Sequence, residues 1–409
     1  MKIIRFTSKK LEKIYNRGNC RQVRVEEKVR KIVDDVRLLG DDALIKYTRK
    51  FDKVKLNQRQ LKVSQIEIGG AYANISPHFV SSLKVIIDNV NRFYRKQLRK
   101  SWRIKGPEGV VLGENYTPLD KVGIYIPAGT APLVSTVYMT VLPAKLAGVK
   151  KIVLISPPDK NGYINPHILV VADLLKVDEI YRVGGAQGIA ALAYGTKTIP
   201  KVDKIVGPGN IYVSEAKRQV FGVVDIDMIA GPTELVIIAN RFSDPKFIVA
   251  DLRAQAEHAK GLAILITNSK SLAKEVKSQL DGDNGHIILT KNLKQACEIA
   301  DKIAPEHLEI LVQNPQGICK NIKNAGAIFL GPYSPVALGD YVAGPSHVLP
   351  TLGTARFFSG LNVSDFIKSN HIISYSKKAL EKIREPLEKI ASIEGLQKHL
   401  DSVKARFIN

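Results

Sequence analysis

Two pairs of polar residues have the types and spacing that acid–base and metal chemistry require. In APEH, Glu306 and His307 are adjacent, after the breaker Pro305 and before an apolar run. A carboxyl and an imidazole therefore stand together at the start of a predicted strand. In QAEH, Gln255 and His258 are three residues apart, which places them on one helix face, where amide oxygen and imidazole nitrogen could bind a catalytic zinc ion. Taken alone, each pair is more typical of a solvated surface.

Two later segments carry further candidate ligands. The Gly-rich stretch GDYVAGPSHVLPT contains Asp340 and His347, and a carboxylate oxygen is an acceptable zinc ligand. Such loops are seldom chosen for packing, so a functional and a structural interpretation stay equally open here. In EGLQKH, Glu394 and His399 are five residues apart, a spacing that does not share a helix face. By themselves they indicate a charged surface helix.

The elements that must position these residues follow an α/β pattern from about residue 121 onward. Short apolar runs alternate with helical stretches, which predicts parallel sheets with helices on their faces, in two similar units near 121–233 and 234–360. The first 115 residues predict helices, including 25–50 and 76–100, and the last 45 or so also predict helices. The predicted strands are 123–126, 151–155, 179–183, 204–206, 235–239, 263–267, 286–290, 308–312 and 327–330.

Three glycine-bearing loops follow predicted strands of the first unit, at 127–133, 183–188 and 206–210. Loops of this kind bring backbone N–H groups to a positive helix terminus, which suits a phosphate group. No G-x-G-x-x-G fingerprint follows the first strand, so by motif alone nucleotide binding and plain tight turns are equally supported.

The bulk composition limits the class of protein. A chain of 409 residues predicts two or three domains, and 45% hydrophobic with 24% charged residues is typical of a globular protein. We find no apolar stretch long enough to span a bilayer and no signal-peptide pattern, so we expect a cytoplasmic protein. Cys20, Cys297 and Cys319 form no C-x-x-C pair and predict reduced, structural thiols.

The net charge of +22 raises the question of a nucleic-acid partner. The densest basic stretch, 92–105, is interleaved with Phe93, Tyr94 and Trp102, but its apolar residues also recur at helical spacing. Because lysines are spread along the whole chain, the sequence favours a solvated helix face over a nucleic-acid site.

Several segments, in one order along the chain, together resemble the histidinol dehydrogenase family. The resemblance runs from about Val122 to Ser364 and returns at Glu394–His399, through VGIYIPAGTAP, RVGGAQGIAALAYGT, KVDKIVGPGN, EAKRQV, IDMIAGPTE, QAEH, APEHLE, GDYVAGPSHVLPT and EGLQKH. It implies two-step oxidation of L-histidinol, through histidinaldehyde, to L-histidine, with NAD as oxidant and one zinc ion per subunit. A related zinc- and NAD-linked dehydrogenase for another amino alcohol, and a nucleic-acid binder, are the alternatives.

The resemblance also implies roles for single residues. It implies zinc ligands at Gln255, His258 and Asp340, with His399 supplied by the partner of a homodimer, and acid–base roles for Glu306 and His307. The implied substrate contacts are Thr233 (a position commonly Ser), Gln255, His258, His307, Asp340, Glu394 and His399. The implied NAD contacts are Tyr125, Gln187 and Asn210, with His347 as an accessory residue.

The implied fold is α/β, with two Rossmann-like βα units of parallel sheets, N-terminal helices, a small helical C-terminal arm and an intertwined dimer. Residues 1–21 are expected to pack with the arm, and 366–409 form the arm that reaches the partner subunit. Residues 22–120 and 234–365 are expected to form a first α/β domain with the metal and acid–base residues, and 121–233 a second, NAD-binding one.

Overall fold

The computed structural model describes residues 1–5, 7, 9–19, 23–128, 131–258, 261–280 and 285–407. Cys20 and residues 129–130 of the first glycine-bearing loop lie outside these ranges. The chain divides into two compact units: unit 1 comprises Met1–Gln97 and Leu119–Phe366, and unit 2 comprises Leu98–Pro118 and Ile367–Asn409. Among the described helices, none combines the length and the apolar character needed to cross a membrane.

The strands are β1 (Lys2–Arg5), β2 (Trp102–Lys105), β3 (Val111–Pro118), β4 (Lys121–Tyr125), β5 (Lys151–Ser156), β6 (Glu179–Arg182), β7 (Lys204–Val206), β8 (Asp225–Ile226), β9 (Glu234–Ala239), β10 (Leu262–Thr267), β11 (His286–Leu289), β12 (His307–Leu311), β13 (Ala327–Leu330) and β14 (Ile367–Ser374). The helices are α1 (Lys9–Tyr15), α2 (Val23–Leu39), α3 (Asp41–Phe51), α4 (Gln58–Leu61), α5 (Gln65–Ala71), α6 (Pro77–Tyr94), α7 (Val134–Ala147), α8 (Pro166–Leu174), α9 (Gly185–Tyr194), α10 (Ile211–Val220), α11 (Pro245–Ala256), α12 (Lys270–Gln279), α13 (Leu293–Ile303), α14 (Pro315–Cys319), α15 (Val336–Tyr341), α16 (Lys377–Lys382), α17 (Arg384–Ile393) and α18 (Gln397–Lys404).

Unit 1 contains two parallel sheets, as the α/β pattern predicts. One has the strand order β1-β11-β10-β9-β12-β13 and the other β6-β5-β4-β7-β8. Their central strands are buried on both faces, which explains why they stand out in the sequence as continuous apolar runs. The predicted mixed α/β class with parallel sheets is confirmed, and the predicted strands between 121 and 330 are found within two residues at each end.

The helices between residues 23 and 61 pack on the five-stranded sheet, whereas the sequence placed them in a domain with 234–365. The buried face of α2 consists of Val29, Ile32, Val33 and Val36, at three- and four-residue spacing. This face belongs to the hydrophobic core that includes residues of β4, β5, α9 and α10. At the N-terminus, residues 2–5 join the six-stranded sheet as its edge strand β1, which pairs with β11.

Unit 2 contains an antiparallel sheet that the sequence did not indicate. Strand β3 pairs with β2 on one side and with β14 on the other. The prediction of one helix through residues 76–100, with a solvated helical face to 105, is therefore wrong at its end: α6 stops at Tyr94, and Trp102–Lys105 is an exposed strand. The last 45 residues likewise begin with strand β14 before their helices. Strand β14 depends on pairing with residues distant in the sequence, and β2 is exposed along its whole length, so neither shows the alternation of a half-buried strand.

Candidate active site

The predicted acid–base residues lie at the amino ends of the strands of the six-stranded sheet. Glu306 and His307 are buried at the start of β12, beside Glu234 at the start of the neighbouring strand β9. The backbone N–H of Glu234 donates to Glu306 Oε2 at 2.9 Å, and His307 Nδ1 lies 3.0 Å from the Glu234 carbonyl oxygen. The backbone N–H and carbonyl groups of Glu234 thus hold both side chains.

This contact decides which nitrogen of His307 is free to act as a base. A carbonyl oxygen can only accept, so Nδ1 carries the hydrogen and the neutral ring presents Nε2 as an acceptor. Within the described residues Nε2 has no hydrogen-bond partner, and it lies 3.7 Å from Asp340 Oδ1. His307 is therefore arranged to take a proton at Nε2.

Burial brings the two side chains toward the neutral forms that exchange protons near pH 7. Desolvation raises the pKa of Glu306 from 4.5 to about 8, opposed by hydrogen bonds from the Thr233 side chain and the Glu234 backbone. Desolvation also lowers the pKa of His307, opposed by the nearby Asp340 carboxylate. Glu306 Oε2 and His307 Nδ1 are 3.6 Å apart. Their proximity makes a coupled acid–base pair chemically reasonable.

Three predicted metal ligands approach the same end of the sheet. Gln255 is in the last turn of α11, the helix that connects the parallel strands β9 and β10. Because such a helix runs back along the sheet, the C-terminal end of α11 lies at the amino ends of these two strands. Gln255 is 4% exposed, and its Nε2 has no hydrogen-bond partner among the described residues. Burial raises the pKa of Asp340, near the end of α15, and His307 and His258 are close enough to oppose that rise.

The amide of Gln255 and the side chain of His258 are set by a close backbone approach at Gly261. The Gly261 N–H donates to the His258 carbonyl at 2.9 Å. A Cβ atom on Gly261 would lie 2.7 Å from Gln255 Nε2 and 3.4 Å from His258 Cβ. Only glycine leaves room for this arrangement. Within the described ranges no three His, Cys, Asp or Glu side chains form a metal-holding group by themselves.

His347 and Thr233 are also brought to this region, and the Thr233 side chain is hydrogen-bonded to Glu306. His347 Nδ1 lies 2.9 Å from the Asp340 carbonyl oxygen, and its Nε2 lies 3.1 Å from Thr136 Oγ1. Both ring nitrogens are therefore used, and His347 supports the segment that presents Asp340 instead of acting as a free base. A cavity of about 530 Å³ is lined by His307, Asp340 and His347, with Phe329 on its apolar side.

The predicted cofactor residues lie at the carboxyl ends of the strands of the five-stranded sheet, whereas the acid–base residues lie at the amino ends of strands in the six-stranded sheet. Tyr125 ends β4, Gln187 is in the first turn of α9 after β6, and Asn210 caps α10 after β7. Tyr125 Oη accepts from the Gly185 N–H at 3.5 Å. The chain crosses from β6 back to β7 on the far side of β4, so a topological switch point lies between β4 and β7. Ligands of open α/β sheets bind at such a point.

A buried ion pair that no sequence pattern indicated holds one of these loops. Lys217 on α10 and Asp227 after β8 are paired and almost fully buried. The Gly207 N–H donates to Asp227 Oδ2 at 2.8 Å, and Lys217 Nζ donates to the Gly207 carbonyl at 3.0 Å. A Cβ at Gly207 would collide with the Tyr125 carbonyl oxygen. Lys217 stands in the motif EAKRQV and Asp227 in IDMIAGPTE. The family resemblance therefore includes both residues, but nothing in the sequence indicated that they pair.

Glu394 and His399 belong to unit 2. Glu394 caps the C-terminal end of α17, His399 lies on α18, and both are exposed. Their meeting with Gln255, His258 and Asp340 stays a prediction.

The raised pKa of Glu306 predicts how the stability of the metal-free protein varies with pH. Glu306 is protonated in the folded protein and ionised in the unfolded chain between its ordinary pKa, 4.5, and its raised pKa, about 8. The free energy of unfolding therefore falls as pH rises through this range. The slope is at most about 1.4 kcal/mol per pH unit for one group. We expect Glu306→Gln to make the decline in unfolding free energy between pH 5 and 8 shallower by about that amount, measured by urea titrations.

Glu309 provides the comparison, because burial, followed by repulsion from Asp251, raises its pKa to about 8 as well. Glu309→Gln should remove a separate part of the pH dependence of the unfolding free energy. The double variant should show a shallower pH dependence than either single variant. An unchanged slope in Glu306→Gln would show that Glu306 is ionised in the folded protein at neutral pH.

Comparison with known proteins places the chain among characterised folds. A family profile described as histidinol dehydrogenase matches residues 15–407. The histidinol dehydrogenase of Clostridium acetobutylicum is 50% identical over 396 residues, 93% of this chain and 91% of the relative, and that of Listeria innocua is 49% identical over 400 residues, 94% and 93%. A crystal structure of histidinol dehydrogenase from Elizabethkingia anophelis matches with a TM-score of 0.93 and 36% identity, over 100% of this chain and 98% of that one.

Proposed function

The chain belongs to the histidinol dehydrogenase family, an oxidoreductase family of histidine biosynthesis, and on that premise we propose that it oxidises L-histidinol to L-histidine in two NAD-dependent steps at a zinc site. The observation that carries the proposal is the buried pair Glu306–His307, bound to one backbone unit, with the free His307 Nε2 facing Asp340. The substrate would occupy the space between these groups.

The donor set of unit 1 fits zinc. Gln255 is a buried amide without a hydrogen-bond partner on Nε2 among the described residues, and the oxygen and nitrogen of such an amide exchange by a half turn of the group. His258 adds an imidazole nitrogen and Asp340 a carboxylate oxygen, both of which zinc accepts. When bound, zinc would hold the amino and imidazole nitrogens of histidinol and NAD would accept a hydride in each step.

The acid–base steps are assigned to the residues of β12. His307 Nε2 takes the alcohol proton in the first step, because it is the unpartnered acceptor and Nδ1–H is fixed on the Glu234 carbonyl. The Glu306 carboxylate takes a proton from the water that adds to histidinaldehyde in the second step. A carboxyl with a pKa of about 8 is well matched to a proton transfer near neutral pH. Thr233, hydrogen-bonded to Glu306, presents a hydroxyl group to the same site.

The cofactor is assigned to the five-stranded sheet. Tyr125 and Asn210 follow β4 and β7, the two strands that flank the switch point, and Gln187 follows the edge strand β6. The strand order supports our assignment of these βα units as Rossmann-like. Gln187 is buried and its Oε1 has no hydrogen-bond partner within the described part of the chain, which leaves that acceptor for a ligand.

The fourth ligand is assigned to the partner of a homodimer. Gln255, His258 and Asp340 would already form the three-ligand set of a catalytic zinc site with a position open to water or substrate, so the fourth protein ligand is assigned from the family resemblance. His399 and Glu394 are exposed on unit 2, so their side chains are available to a second subunit. We assign His399 as the ligand and Glu394 as a substrate contact across that interface.

Turnover should depend on the metal. We expect NADH to form with L-histidinol, to fall to background after exhaustive chelation, and to return when zinc is added back. NAD binding, followed by fluorescence, should survive chelation because its residues lie on the other sheet of unit 1. Turnover with other amino alcohols but not with histidinol would show that the proposed substrate is wrong. Full turnover of a metal-free protein would show that the reaction does not need zinc.

A further inference from the structure

Arg17 binds the residue that holds the acid–base pair. It lies in the 3₁₀ turn Arg17–Asn19 after α1, and its Nε and Nη2 donate to Glu234 Oε1 and Oε2, each at 2.5 Å. This is a bidentate guanidinium–carboxylate pair, with side chains 13% and 2% exposed. The Leu352 N–H also donates to Glu234 Oε1 at 3.0 Å. The carboxylate is thus held on both oxygens.

The same guanidinium also binds the segment that leads into β12. Nη1 donates to the carbonyl of Ile303 at 2.8 Å and Nη2 to that of Ala304 at 3.5 Å. Ile303 is the last residue of α13, and Ala304 caps it in the left-handed conformation with φ 48°. A cation at this helix C-terminus satisfies exposed carbonyl groups and matches the helix dipole. Two residues later the chain reaches Glu306.

One side chain therefore connects the two segments that carry the acid–base chemistry. The start of β9 supplies the backbone of Glu234, whose N–H holds Glu306 and whose carbonyl holds His307. The end of α13 sets where β12 begins. If Arg17 were removed, each segment could shift by itself, and a displacement of about 1 Å at a reacting group can cost about 10²-fold in rate.

We infer that Arg17, a residue of the N-terminal segment, is a positioning residue for the Glu306–His307 pair. The inference rests on the proposed function, since it presumes that this pair performs the acid–base steps. Arg17 acts through Glu234 and the end of α13, and its planar fork can serve a carboxylate and carbonyl groups at once, which a lysine cannot do.

The test compares Arg17→Ala with a matched control. Arg182 provides it: it is buried, donates to Glu67 Oε1 at 2.6 Å, and touches the Gly162 carbonyl. Arg182→Ala breaks a partly buried arginine–glutamate pair elsewhere in unit 1. At saturating NAD and histidinol, we expect Arg17→Ala to lower kcat by about 10- to 100-fold. Arg182→Ala should lower thermal stability but leave kcat within about twofold.

Chemical rescue separates positioning from mere stability. Millimolar guanidinium should restore part of the kcat of Arg17→Ala, whereas equal concentrations of ammonium should not, and neither should affect Arg182→Ala. A folded Arg17→Ala protein with wild-type kcat overturns the inference, and so does equal rescue by ammonium.

A second variant covers the case in which Arg17→Ala does not fold, because it leaves the Glu234 charge buried and unpaired. The double variant Arg17→Met/Glu234→Gln removes both charges while keeping the Glu234 backbone. It should fold, and its kcat should fall as in the single variant; an undiminished kcat overturns the inference. If Glu306→Gln and His307→Asn retain full turnover, the proposed function fails; if they are inactive while Arg17 variants are fully active, only the role of Arg17 fails.

Discussion

Replacing His307 with asparagine should lower histidinol oxidation by about 10²- to 10⁴-fold while leaving zinc and NAD bound. The asparagine amide can still donate to the Glu234 carbonyl that Nδ1 occupies, so the fold of the site should survive. What it lacks is the basic nitrogen Nε2, which lies 3.7 Å from Asp340 Oδ1 in His307. The measurement is kcat by NADH absorbance, with zinc content and NAD fluorescence recorded on the same preparation.

The companion variant Glu306→Gln distinguishes the two steps. It should still produce one equivalent of NADH from histidinol in a single turnover, because His307 is intact, but oxidise added histidinaldehyde slowly. His307→Asn should show the opposite block, at the alcohol. If both variants slow the same step equally, the division of labour between the two residues is wrong, and turnover near the wild-type rate in His307→Asn would contradict the acid–base assignment itself.

Mixing two inactive proteins should restore activity if the site is shared. His258→Asn spoils the ligand set of unit 1, and His399→Asn spoils the arm. In a heterodimer, one site has both defects and the other has neither. Since random re-association of a symmetric dimer makes half of the molecules heterodimers, we expect about a quarter of wild-type activity after refolding the mixture.

A second mixture provides the control. His258→Asn and Asp340→Asn both lie in unit 1, so every site of their heterodimer carries one defect and no activity should return. If the first mixture stays inactive although heterodimers are demonstrated by tagged pull-down, His399 does not serve a partner's site. Rescue in both mixtures would instead show that the His258 and Asp340 of one site come from different subunits.

The sequence predicted the parallel sheets well because of where their strands lie. Runs such as Leu235–Ala239 are buried on both faces, so every residue must be apolar and the strand is visible without its neighbours. Strands β2, β3 and β14 carry no such run, and the pairing of β14 with β3 joins residues far apart in the sequence, for example Ile367 opposite Pro118. The packing of α2 on the five-stranded sheet was hidden for a related reason: an amphipathic helix shows that it has a buried face but not which sheet covers it.

The sequence by itself determined the chemical groups of the site and their family: Gln255, His258, Glu306, His307 and Asp340 were readable as residue types in ordered motifs. Only the tertiary structure decided that Glu306 and His307 are both bound by the backbone of Glu234, that this leaves Nε2 of His307 as an unpartnered acceptor among the described residues, and that Arg17 of the N-terminal segment binds the Glu234 side chain. Backbone hydrogen bonds have no side-chain signature, and an ion pair between residues 217 positions apart has no local period. Such contacts exist only once β9, α13 and the turn after α1 have been brought together.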